Sequence, residues 1–176
     1  MRRPGVVHLL CGPTGAGKTT YGRSLAEAEG AVRFSVDEWM SALFWMDAGH
    51  PFEPAWAMER VQRCAALMWK TAEEICRQGV PCVLEIGLTK AADRAHYAGL
   101  ARTAGLPVKL HLVDAPREER WARVRGRNAE AGEGAQLTFA LTREMFDFVE
   151  TLWETPTAAE LEACDGLTID TGPGQG

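Results

Sequence analysis

Gly12-Pro13-Thr14-Gly15-Ala16-Gly17-Lys18-Thr19 is the stretch that decides how the rest of the chain is read. It fits the phosphate-cradling pattern G-x-x-x-x-G-K-[ST]. An apolar run, Val6-Val7-His8-Leu9-Leu10-Cys11, precedes it, and a helix-like stretch over 20–29 follows. This strand, loop and helix context gives the pattern its meaning. Glycines let the backbone turn tightly enough for successive N–H groups to face phosphate oxygens. The helix behind the loop adds the positive end of its dipole. Lys18 is expected to reach the β- and γ-phosphates of a nucleotide, and the Thr19 hydroxyl to join a Mg²⁺ shell. The nucleotide-binding residues expected from the motif run from Gly12 to Thr20.

Outward from the loop, 6–11 is apolar throughout, as suits a central parallel strand covered on both faces. The helix 20–29 carries Gly22 at some cost to its stability and stops at Gly30. Residues 31–36 read as a second strand. Asp37 follows at its carboxyl end, where open α/β sheets place their chemistry. Glu53-Pro54 opens a long helix to about residue 78, with Trp56, Val61, Cys64, Ala65, Met68 and Ile75 along one stripe. In the third strand, 80–86, Glu85 interrupts an apolar run, and a buried carboxylate is costly unless it is paired or faces a ligand. A helix over 89–104 from a Thr89 cap, a strand over 108–113, an arginine-rich helix over 117–127, a helix over 137–154 and a short strand over 167–170 complete the pattern. The small polar stretch 129–134 reads as the tip of a lid spanning about 123–138. Alternating strands and helices predict an α/β fold in three layers, a parallel sheet with helices on both faces and the first strand central. One domain over 1–176 is expected.

Composition narrows the partners. The 176 residues carry a net charge of −5, with 46% apolar and 24% charged residues. The dense basic cluster is confined to 117–127, so a nucleic-acid partner is disfavoured. No apolar run approaches the ~18 residues that a membrane span needs. The first five residues lead straight into a strand with no cleavage site, so a cytoplasmic protein is expected. Five cysteines without metal-like spacing read as buried, reduced thiols. His8 and His111 fall within strands, and no zinc site is visible.

These residues together resemble the small P-loop kinases of the AAA family, a group similar to the kinase domain of polynucleotide kinase, zeta toxin and chloramphenicol phosphotransferase. The resemblance rests on the loop 12–19 and on Phe34-Ser35-Val36-Asp37 and Val83-Leu84-Glu85-Ile86-Gly87-Leu88. It extends to Asp114-Ala115-Pro116 with Arg123 and Arg127-Asn128, and to Trp153-Glu154-Thr155-Pro156. It implies a P-loop NTPase fold with sheet order 2-3-1-4-5, ATP with Mg²⁺ as cofactor, and transfer of the γ-phosphoryl group to a hydroxyl of a small molecule. A kinase acting on a polynucleotide or nucleotide-sugar hydroxyl and a non-catalytic ATP-binding regulatory module are the alternatives. A monomer or a homodimer is expected.

Within that resemblance Asp37 accepts or orients the proton of the acceptor hydroxyl, unless it only caps the helix behind it. Glu85 stands where such kinases usually have Asp; it either serves the Mg²⁺ with Thr19 or binds substrate or pairs with an arginine. Arg123 and Arg127 share a helix face and close over the phosphates, against the alternative of a solvated Glu119–Arg123 pair. Arg120 and Arg125 are expected to face solvent or substrate. Trp39, Trp45 and Asp47 belong to a segment, about 38–69, that covers the acceptor or else fills the core.

Overall fold

The computed structural model describes residues 3–49, 53–130 and 141–173. Five strands form one parallel sheet: β1 (Val7–Cys11), β2 (Val32–Ser35), β3 (Cys82–Glu85), β4 (Val108–Asp114) and β5 (Leu167–Asp170), in the order β2-β3-β1-β4-β5. The order expected from the resemblance is the one observed. β1 pairs with β3 from Val7 opposite Cys82 and with β4 from Val7 opposite Val108. Its five residues are all buried, because helices cover both of its faces.

One face of the sheet, with Val7, Leu9, Cys11, Phe34, Leu84, Leu110 and Leu112, packs against α3 (Pro54–Arg77) and α4 (Ala91–Thr103). The stripe read from the sequence supplies Cys64, Ala65 and Met68 to this core, joined by Trp69, Ala72 and Cys76. Glu53 and Pro54 open α3 as expected, with proline at the first turn where its missing N–H costs nothing. The alternate residues, His8, Leu10 and His111, turn to the opposite face. There Tyr21 of α1 (Lys18–Glu29) donates or accepts at His111 Nδ1, 2.8 Å away, and His111 Nε2 meets His8 Nδ1 at 2.9 Å. Both histidines are buried and hydrogen-bonded, and they sit on interior strands of the sheet. All five cysteines are buried and free.

Several boundaries differ from those expected. The second strand ends at Ser35, and Val36 already begins α2 (Val36–Leu43). Ser35 holds an extended backbone while its hydroxyl accepts the Glu38 N–H, so it is the cap and Asp37 lies in the first turn. The fourth helix starts at Ala91, with the Lys90 N–H donating to Asp93 in place of a Thr89 cap. After α5 (Arg117–Glu130), α6 covers only Arg143–Leu152, because the Thr142 hydroxyl accepts from Met145 N–H and fixes the start there. A further short helix, α7 (Ala158–Ala163), was not foreseen; Thr157 and Glu160 cap each other at its start. Residues 131–138 of the expected lid, and 137–140 of the expected helix, lie outside the described residues.

Candidate functional site

The loop between β1 and α1 lies at the carboxyl edge of the sheet, and side chains from three directions hold it. Lys18 folds back and donates to the Gly12 and Pro13 carbonyls at 2.7 and 2.9 Å. Arg120 donates to the Thr14 carbonyl at 3.2 Å, Arg123 to Gly15 at 3.4 Å, and the Thr171 hydroxyl to Ala16 at 2.7 Å. Five successive carbonyls are thus taken, which fixes the orientation of the peptide planes that carry the loop's N–H groups. Gly15 has φ +79, and a Cβ there would lie 2.5 Å from the Arg120 carbonyl oxygen. Only glycine lets α5 press this closely against the loop.

Below the loop, the Thr19 hydroxyl donates to Glu85 Oε2 at 3.1 Å. The other oxygen of the same carboxylate, Oε1, accepts from Arg33 at 2.6 Å. Glu85 therefore makes the arginine pair that was one of its expected alternatives, and its other oxygen touches Thr19. Burial lowers the Lys18 pKa, and the charges of Asp37 and Glu85 oppose that shift. Lys18 thus sits among both carboxylates. Cys11 also borders this space, but burial pushes its thiol up to about 12, so it is a neutral wall and no nucleophile.

The loop, Lys18, Thr19, Asp37 and Glu85 line one cleft of about 250 Å³. Its far wall consists of Leu88, Thr89, Val149, Glu150 and Trp153. Arg94 builds part of this wall from behind. Its buried guanidinium pairs with Glu160 at 2.9 Å, donates to the Leu88 and Thr89 carbonyls at 3.5 and 3.4 Å, and lies 5.7 Å from the Trp153 ring. Glu154 secures the same corner by accepting the Ala91 N–H at the start of α4.

The remaining candidates are placed as follows. Thr20 is exposed on α1 and does not line the cleft. Arg123 donates to the Thr171 hydroxyl at 2.9 Å as well as to Gly15, so it is fixed at the back of the loop and makes no pair with Glu119. Arg127 is exposed on α5 and does not line the cleft. Arg120 overturns the expectation that it faces solvent or substrate: it is 6% exposed and bound bidentately to Glu150. A side chain that reaches Ala115, Thr14 and Glu150 together has no freedom to point outward. Trp39 packs edge-on against Phe34 and Trp45 lies against Trp56, with ring centroids 6.1 and 6.3 Å apart. Both pack on the core, Asp47 is exposed, and none of the three lines the cleft. The cleft residues that sequence reasoning did not assign to the site include Thr89, Val149, Glu150 and Trp153, and the supports it missed are Arg33, Arg94, Arg120 and Thr171. Glu150 carried no signal, being one of many acidic residues on exposed-looking helices.

A parallel sheet in this order, with a glycine loop that ends in a Lys-Thr pair after its central strand, defines the P-loop NTPase fold. The family model for AAA_33, an AAA domain, matches residues 7–152, and the chain belongs to that family. No curated protein sequence matches it significantly. Solved structures do: a candidate kinase from Chloroflexus aurantiacus superposes with a TM-score of 0.72 at 19% identity, covering 97% of this chain and 87% of that one. Kti12 from Chaetomium thermophilum, in complex with ADP-AlF3, gives 0.69 at 13% identity over 94% and 89% of the two chains. The Mycobacterium tuberculosis APS kinase CysC, in complex with AMPPNP and APS, gives 0.60 at 17% identity over 98% and 91%. At these identities the likeness is one of fold. Among the described residues, no helix is long and apolar enough to cross a membrane.

Proposed function

We propose that the protein is an ATP-dependent kinase that moves the γ-phosphoryl group of ATP to a hydroxyl of a small molecule. The observation that carries the reading is the shared cleft, which Lys18, Thr19, Asp37, Glu85 and Trp153 all line. Thr19 and Glu85 offer hard oxygen donors beside a phosphate loop, a set that suits Mg²⁺, which takes few protein ligands and keeps much of its water. Bound Mg·ATP supplies the phosphoryl group and the charge neutralisation.

The chain's own groups do the rest. The N–H groups of 14–19 and the Lys18 ammonium hold the phosphates. Arg127 approaches them from α5, and Arg123 keeps the loop in shape from behind. Asp37 orients the acceptor hydroxyl and takes its proton as the oxygen attacks phosphorus and the bond to the leaving ADP oxygen breaks. Leu88, Val149 and Trp153 give the acceptor an apolar wall, and Asp37 gives it an acidic edge, while the Glu150 carboxylate is matched by Arg120. That lining favours a neutral or cationic polyhydroxyl compound over a phosphorylated one. Likeness of fold to the APS kinase accords with a small acceptor.

The test is an ATP-consumption screen over sugars, nucleosides, aminoglycoside-type antibiotics and 5′-hydroxyl oligonucleotides. Turnover with one small-molecule class supports the proposal. ATP binding without ADP formation on any acceptor would leave a nucleotide-binding module without phosphoryl transfer.

A further inference from the structure

Glu85 has a longer reach than the Asp expected at its position, and three neighbours accommodate it. Gly22, in the middle of α1, faces it directly: a Cβ on Gly22 would stand 2.5 Å from Glu85 Oε1 and 3.0 Å from Leu10 Cδ2. The helix accepts a residue that weakens it, in a conformation any residue could adopt. The missing methyl is the space into which Glu85 folds. Arg33 from β2 then takes Oε1 at 2.6 Å, which leaves Oε2 to meet the Thr19 hydroxyl. The Arg33 fork also grips Glu38, which α2 places next to Asp37, and Glu38 in turn meets Arg23 of α1 at 3.0 Å. The Arg33 side chain is 13% exposed and that of Glu85 is 8% exposed, so the pair is sheltered from water.

We infer that Arg33 is a positioning residue for the metal side of the site, and that Gly22 exists to admit Glu85. Arg33 occupies one carboxylate oxygen, so Glu85 presents a single oxygen, Oε2, beside Thr19. The same guanidinium ties Glu85 to the helix that carries Asp37, and so sets the spacing between the metal side and the acceptor side. Planarity matters here, because one fork serves two carboxylates, which a lysine ammonium does with poorer geometry. This inference rests on the proposed role of Glu85 toward Mg²⁺, but not on any acceptor.

Its test is the Mg²⁺ dependence of nucleotide binding, read by the fluorescence of an N-methylanthraniloyl-labelled ADP titrated with MgCl₂, alongside thermal melting without nucleotide. Arg33→Lys and Arg33→Met should each raise the Mg²⁺ concentration for half-maximal binding about tenfold, the usual loss when the partner of a metal-side carboxylate is removed. Gly22→Ala should do the same, although alanine favours a helix. In a Glu85→Asp background Gly22→Ala should have no further effect on that concentration, since the shorter side chain vacates the space. Unchanged Mg²⁺ dependence in the Arg33 variants, with or without a fall in melting temperature, would overturn the inference. So would a Gly22→Ala effect that persists undiminished beside Glu85→Asp, or wild-type binding that ignores Mg²⁺. Failure of the acceptor screen leaves these readings intact, so the two proposals fail separately.

Discussion

Arg120 and Glu150 meet guanidinium to carboxylate at the wall of the cleft, with bonds of 2.6 and 2.7 Å. The pair joins α5 to α6 and, through Arg120, to the Thr14 carbonyl of the phosphate loop. Removing one partner of a sheltered pair leaves the other charge unmatched, which costs about 3–5 kcal/mol in a full interior. Glu150 is 17% exposed at its side chain, so the loss should fall somewhat below that range. Glu150→Ala is expected to destabilise the protein by roughly 2–3 kcal/mol in urea unfolding, and to weaken ATP binding as Arg120 releases the loop. Unchanged stability would mean that the pair is only decorative.

Lys18→Ala should remove phosphoryl transfer. The ammonium is the cation the loop brings to the β- and γ-phosphates, and its loss leaves that charge unanswered. The fold should persist, because the lost bonds to Gly12 and Pro13 are at a half-buried loop. Circular dichroism and melting check the fold, and ADP release checks the chemistry. Normal turnover by a folded variant would refute the kinase reading.

Asp37→Asn separates charge from structure. Ser35 caps α2, so Asp37 is not needed to start the helix. The variant should melt like the wild type and bind ATP within a few fold, while turnover falls by roughly 10²–10⁴, the range for a lost general base. A small loss of turnover would move the proton to another group.

The buried pair His8 and His111 gives stability a pH dependence. Burial lowers His111 to about 4, with His8 adding repulsion, and burial lowers His8 too. The unfolded chain binds protons at these imidazoles below about 6.5, while the folded chain resists until far lower pH. Protons therefore favour unfolding, and stability falls as pH drops from about 6.5 toward 4. For His111 the full loss is about 3 kcal/mol. Urea midpoints measured between pH 7.5 and 4.5 should fall, and His111→Gln should flatten that fall. An equal slope in the variant would place the dependence on other groups.

The order of elements was legible because the central strands β1 and β3 are largely apolar runs and the long helix α3 carries a stripe. The phosphate loop was legible because its chemistry requires fixed types at fixed spacing. Boundaries set by one hydroxyl, at Ser35 and Thr142, were not, since serine and threonine occur everywhere and act as caps only where the backbone before them is extended. Supports such as Arg33, Arg94 and Arg120 were illegible for a different reason. Their partners lie 52, 66 and 30 residues away. Only the packed sheet shows that an arginine in a charged helix turns inward. The arginine partner of Glu85 was hidden in the same way, because Arg33 lies on another strand.

Two tryptophans compete for the acceptor. Trp45 lies against Trp56 and packs on the core formed by α3, away from the lining of the cleft. Trp153 lines the cleft with Leu88 and Val149, and its indole N–H is held by the Thr155 hydroxyl at 3.1 Å. A large-to-small change at a packed site costs about 3–5 kcal/mol when the site is fully buried. Both tryptophans are only half-buried, so about half of that is expected of Trp45→Ala. That variant should melt lower and, among the molecules still folded, keep the wild-type KM for the acceptor and for ATP. Trp153→Ala should raise the acceptor KM while leaving the ATP KM near its wild-type value, because the loop, Lys18 and Thr19 are untouched. The reverse outcome, an acceptor KM that rises with Trp45→Ala and stays fixed with Trp153→Ala, would return the acceptor to the segment after Asp37.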